Sequence, residues 1–67
     1  MSIRAYRTLI AVQHHGSFRA AAEAEGLTPS AVSHQMKNLE DSLGLTLFDR
    51  TLKSPKLTED GLALAAE

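Results

Sequence analysis

The sequence predicts a mainly α fold: three helices, a small two-stranded β-wing and the start of a fourth helix. Three observations predict it. Residues 28–43, TPSAVSHQMKNLEDSL, carry helix signals at both ends, and glycines at positions 16, 26 and 44 each close a stretch of helical periodicity. After Gly44 the period shortens toward alternation, which is the pattern of a strand. With 67 residues the chain makes one small domain, near the lower limit at which a single core suffices without staples.

The first helix is expected over Ile3–His15, where Ile3, Tyr6, Leu9, Ile10 and Val12 give an apolar side and Gly16 ends it. His14 and His15 are neighbours, so they point about 100° apart and cannot pinch one metal as an i, i+4 pair would. They read as solvated residues favourable to a helix C-terminus. Ser17 caps a second, short helix, Phe18–Glu25, anchored by Phe18. Its alanines, Ala20, Ala21, Ala22 and Ala24, favour helix and let a neighbouring axis approach closely.

Gly26 stops that helix, Leu27 dips into the core, and Thr28 opens the next helix with Pro29 at the first position, where a missing N–H costs nothing. Val32, Met36, Leu39 and Leu43 recur at spacings of 4, 3 and 4 and fall in one stripe. Ser30, His34, Lys37 and Asp41 project from the other side, with Ser33 beside them. Such a helix can insert its first turns into a polar groove and hang its back on a core. Alone, the stretch also fits an ordinary surface helix. Its neighbours tip the reading: a short helix, a glycine-containing turn and a longer helix with a polar face form a helix-turn-helix.

Residues 45–50 partly alternate and predict a short strand, 51–55 carry turn residues, and Lys56-Leu57 return as its partner. Arg50, Lys53 and Lys56 cluster in this wing, while Glu23, Glu25, Glu40 and Asp41 are expected to point mostly away from the recognition face. Thr58 then caps a last helix whose first turn holds Glu59 and Asp60, where the helix dipole favours acids. Opening so well and meeting the final residue, Glu67, it is expected to run on in a longer chain. The core is expected to gather Leu9, Ile10, Phe18, Leu27, Val32, Met36, Leu39, Leu43, Leu47 and Phe48. The whole is a three-helix winged helix-turn-helix over residues 1–58, with the helix-turn-helix at about 18–37 and the wing at about 45–57, and a further helix starting over 59–67.

Composition narrows the functions. There is no cysteine, which excludes disulfides and thiolate metal sites and suits a reducing compartment. No apolar run or signal peptide points to a membrane. Seven Lys and Arg against eight Asp and Glu leave a net charge of −1, which counts against nucleic acid unless the basic groups share a face. Ser33 and His34 adjoin on a helix with no third group to orient the imidazole, so an enzyme is a remote reading. No cofactor is called for.

Four blocks of residues resemble the N-terminal winged helix-turn-helix domain of LysR-type transcriptional regulators. They are Gly16-Ser17-Phe18 with Ala21-Ala22; residues 28–36, TPSAVSHQM, with Leu39-Glu40; Leu47-Phe48-Asp49-Arg50-Thr51; and Leu57-Thr58-Glu59-Asp60-Gly61. Their order and spacing make the resemblance specific, and it covers nearly the whole chain. The A-V-S-H-Q segment is similar to the subgroup containing glycine-cleavage activators, which says nothing of the regulated pathway.

The resemblance implies a bacterial, cytoplasmic transcription regulator that binds double-stranded DNA at a two-fold symmetric operator. It implies that the fourth helix is a linker that forms a homodimer, with Leu62 in the interface, and that an effector ligand binds a C-terminal domain absent from this chain. It also implies the contacts. Ser17 bonds a phosphate at the start of the second helix, with Arg19 nearby. Pro29, Ser30, Ser33, His34 and Lys37 enter or flank the major groove, and Arg50 and Lys53 hold the wing against the backbone or minor groove.

Some positions depart from the family pattern. Pro29 stands where many members have a base-reading glutamine, and His34 where many have arginine, giving a shorter and pH-sensitive donor. Glu25 replaces a usual leucine and is expected to lean outward or find Arg or Lys. Leu52 and Pro55 alter a wing that is often rich in Gly and Arg. A protein-interaction module without DNA binding is the competing reading, since winged helices also bind proteins and the near-neutral charge suits that.

Overall fold

In a computed structural model the described residues are 3–51 and 55–66. They form α1 (Ile3–His15), α2 (Phe18–Glu25), α3 (Pro29–Leu43), β1 (Phe48–Asp49), β2 (Lys56–Leu57) and α4 (Glu59–Ala65). The two strands pair antiparallel, Phe48 opposite Leu57 and Asp49 opposite Lys56. The α1 helix packs on α2, α3 and α4, and α4 also rests on β2. No helix among the described residues is long and apolar enough to cross a membrane.

The helix boundaries follow from their caps. Ser17 Oγ accepts from the Ala20 N–H at 3.0 Å, and Thr28 Oγ1 from the Ala31 N–H at 3.1 Å. At the turn between α2 and α3, Gly26 has φ 68°, a conformation that costs a side chain and suits glycine. The Leu27 N–H reaches back to the Ala22 carbonyl at 2.8 Å, which closes α2 and sends Leu27 inward. The turn is therefore tight, with three residues between the end of α2 and the start of α3.

One core joins all parts: Leu9, Val12, Phe18, Ala21, Ala22, Val32, Met36, Leu39, Leu47, Phe48 and Ala65, with Leu27 and Leu43 packed against it. Phe18 and Phe48 meet edge to face at 4.9 Å between centroids, rooting the wing in the helical core. Ile10 is a correction, since it is 42% exposed. The buried stripe of α1 runs through Ala5, Thr8, Leu9 and Val12 at i, i+3, i+4, i+7, and Ile10 lies about 100° off Leu9. Ile3 also leaves the apolar side expected of it, at 80% exposed. Thr8 takes the vacated place in the stripe. Its hydroxyl donates to the Arg4 carbonyl at 3.0 Å, which removes the cost of burying it.

Two boundaries differ from expectation. The first strand is two residues, not six, because the Leu47 N–H is taken by a side chain of α3 and its carbonyl by the Thr58 N–H. The α4 helix ends at Ala65 with Ala66 as its cap, and Glu67 lies outside the described residues. Thr58 knots the wing to α4. Its N–H donates to Leu47 at 2.8 Å, its hydroxyl donates to the Thr46 carbonyl at 2.6 Å, and the same oxygen accepts from the Gly61 N–H at 3.1 Å. Tyr6 Oη donates to the Leu64 carbonyl at 2.7 Å, so α4 is held from both sides.

Candidate nucleic-acid interface

The α3 helix divides as its spacing requires. Val32, Met36, Leu39 and Glu40 are buried, while Pro29, Ser30, His34, Lys37 and Asp41 are exposed and Ser33 is half-buried. The core thus fixes the rotation of α3 about its axis, and the exposed polar groups sit where that rotation leaves them. Arg19, at the start of α2, is exposed and lines with Pro29 a surface cleft of about 470 Å³. The N-terminal ends of both helices therefore open on one side of the molecule. Ser17 is half-buried beside them; capping uses an oxygen lone pair, which leaves its hydroxyl proton to donate. Ser30 Oγ lies 3.3 Å from Thr28 Oγ1.

In the wing, Asp49 shapes the turn by accepting from the Thr51 hydroxyl at 2.6 Å and the Thr51 N–H at 3.0 Å, which hold its carboxyl below the usual range. Lys56 is exposed opposite it. Lys53, read from the sequence as a wing contact, and Leu52 lie outside the described residues.

Arg50, expected against the DNA backbone or minor groove, is paired within the protein. Its Nη1 lies 2.5 Å from Glu40 Oε1, and its guanidinium sits over the Phe48 ring at 5.8 Å from the centroid. Glu40 Oε2 accepts from the Leu47 N–H at 2.7 Å and from the Phe48 N–H at 3.2 Å. Burial alone would raise the Glu40 pKa. The hydrogen bonds from Arg50, Leu47 and Phe48, together with the Arg50 charge, outweigh it and hold the carboxyl below its ordinary value of 4.5. The signal available in sequence was position: Glu40 follows Met36 by four and abuts Leu39, at the edge of the apolar stripe.

That environment sets a pH dependence. A folded-state pKa below the unfolded one adds stability that is complete above the unfolded value and is lost as pH falls through the folded value. Wild-type melting temperature is therefore expected to drop on acidification below about pH 4.5. Glu40→Gln should flatten that fall, leaving the part owed to other carboxylates such as Asp49. Parallel acid limbs in the two proteins would show that Glu40 does not ionise in this setting.

His14 and His15 touch edge to face and are exposed, and no group of three or more His, Cys, Asp or Glu able to hold a metal ion occurs among the described residues. Glu25 leans outward as expected, its Oε1 3.4 Å from the Thr8 hydroxyl.

Three core helices, a tight α2–α3 turn and a two-stranded wing following α3 define a winged helix-turn-helix domain. The chain belongs to the family described as bacterial regulatory helix-turn-helix protein, lysR family, whose profile matches residues 3–62. Among similar proteins is an uncharacterized HTH-type transcriptional regulator of Sinorhizobium fredii, 51% identical over 63 residues, which cover 94% of this chain and 21% of that protein. The glycine cleavage system transcriptional activator of Escherichia coli is 51% identical over 59 residues, covering 88% of this chain and 19% of that protein. The chain thus spans about a fifth of the length of these curated relatives. The crystal structure of the BenM DBD/catB site 1 DNA complex superposes with a TM-score of 0.90 at 32% identity, covering 98% of this chain and 71% of that one. The CbnR DBD–DNA complex gives 0.90 at 32%, covering 98% and 76%.

Proposed function

We propose that this chain binds double-stranded DNA sequence-specifically to regulate bacterial transcription, with α3 in the major groove and the wing on the backbone or minor groove. The observation that carries the reading is the split of α3 between a buried stripe and an exposed face of Ser30, His34 and Lys37. Similarity to DNA-bound domains of the same fold supports it. In this reading Ser17 and Arg19 hold a phosphate at the start of α2. Pro29, Ser30, Ser33, His34 and Lys37 enter or flank the groove, and Lys53 joins from the wing on sequence grounds alone. The domain has a binding role and not an enzymatic one, needs no cofactor, and works in the cytoplasm.

The test is a salt series on matched and scrambled duplexes, the matched site being selected from a random pool. His34→Ala and Ser33→Ala are each expected to cost ~1–3 kcal/mol on the matched site and to blur preference at particular base pairs. Lys37→Ala, at the flank, is expected to weaken all sequences alike and to lower the log–log salt slope by about 0.9. If the chain bound no duplex from the pool, the reading would fail in favour of a protein-interaction module, which the net charge of −1 would suit.

The family's symmetry makes a homodimer on a two-fold operator part of the proposal, with residues 59–67 as the start of the linker and the effector ligand bound by a C-terminal domain beyond residue 67. Leu62 stands 49% exposed on α4, an apolar side chain suited to a second copy. With so short an α4, pairing in solution is expected to be weak, and Leu62→Asp should abolish it. A tight dimer in sedimentation, untouched by Leu62→Asp, would move the interface elsewhere.

A further inference from the structure

We infer that Glu40 is the positioning residue of the wing, and that Arg50 turns its charge inward to Glu40 instead of to a phosphate. The inference rests on the DNA-binding reading and adds to it a division of labour among the basic groups. One carboxylate serves both purposes. Oε2 gathers two successive backbone N–H groups, Leu47 and Phe48, and Oε1 takes the Arg50 guanidinium. These donors lie 7 to 10 residues further along the chain, past the Gly44 turn, so the last turn of α3 grips the first strand of the wing directly. Phe48 also meets Phe18 edge to face and carries the Arg50 guanidinium over its ring. The wing is thereby tied to the helix that carries Ser33, His34 and Lys37, and the two address DNA as one rigid unit.

The geometry also withdraws Arg50 from the list of phosphate contacts. Its side chain is only 36% exposed, and its charge already has a carboxylate partner whose remaining oxygen is occupied. A cation neutralised within the protein releases no counterion when DNA binds, so it should not appear in the salt slope. Ion pairs of this kind are best attested as devices of registry.

The salt series on the selected duplex tests this, with melting curves taken for each variant. Arg50→Met is expected to weaken binding to matched and scrambled duplexes alike while leaving the slope unchanged, and Arg50→Lys to recover part of the affinity. Glu40→Gln, which unlocks Arg50, is expected to weaken binding and to raise the slope by about 0.9 as the freed cation finds a phosphate. A slope that falls by about 0.9 in Arg50→Met would overturn the inference, as would an unchanged slope and affinity in Glu40→Gln. A second readout needs no DNA and separates this inference from the DNA-binding reading. In Glu40→Ala the Leu47 and Phe48 amides are expected to exchange with solvent at least about tenfold faster relative to those of Val32 and Met36. Equal acceleration at all four amides would reduce Glu40 to a general stabiliser and sink the positioning role. A wild-type chain that bound no duplex, but showed the selective amide effect, would sink the DNA reading and leave the grip on the wing standing.

Discussion

Met36→Ala is expected to destabilise the domain by ~2–5 kcal/mol, through lost apolar transfer and the cavity left behind. Met36 is fully buried at the centre of the α3 stripe, between Val32 and Leu39, in a core of few large side chains. Small domains have a total stability of only about 5 kcal/mol or little more, so this single truncation can unfold the chain. At about 4–8 °C per kcal/mol for a domain of this length, the melting temperature should fall by at least roughly 8 °C. Circular dichroism during heating measures it. Met36→Leu, which conserves volume, is expected to cost less than about 1.5 kcal/mol. A melting curve unchanged by the alanine would mean that α3 is not held by this stripe. The orientation of its polar face would then lose its physical basis.

Gly61→Ala sets two effects against each other, and the structure says which one wins. On an exposed helix alanine is favoured over glycine by about 1 kcal/mol, so propensity alone predicts a gain. A methyl group built on Gly61, however, would lie 2.3 Å from the Leu47 carbonyl oxygen and 2.8 Å from Leu57 Cδ2. The leucine tip can move, but the carbonyl is backbone held by the Thr58 N–H at 2.8 Å. Relief therefore requires α4 to lift off the wing, breaking the Thr58 knot. A net loss of about 1–3 kcal/mol is expected, read as a lower melting temperature and a lower urea midpoint. A more stable Gly61→Ala protein would show that α4 does not approach the wing this closely.

These two residues mark the reach of a sequence reading. The limits of α1, α2 and α3, and the start of α4, could be read directly, because a helix is closed by i→i+4 bonds and its caps lie a residue or two away. Ser17, Thr28 and Thr58 cap where their neighbours say they must, and the stripe of Val32, Met36 and Leu39 is buried as its period requires. With the stripe placed, the exposure of Ser30, His34 and Lys37 follows from helical geometry alone. What lies between elements could not be read this way. Ile10, expected in the core, stands 42% exposed and Thr8 is buried instead, because the side of α1 that meets water is set by what packs on it. Glu40 read as one acid among several until the Gly44 turn brought Leu47, Phe48 and Arg50 back onto it. Gly61 was legible as part of a motif, but its reason is a carbonyl 14 residues earlier in the chain. Periodicity and capping are written within one helical turn. The partners of a buried carboxylate, the space beside a glycine and the side of a helix that meets water are settled by groups distant in sequence, and they exist only once the chain has closed on itself.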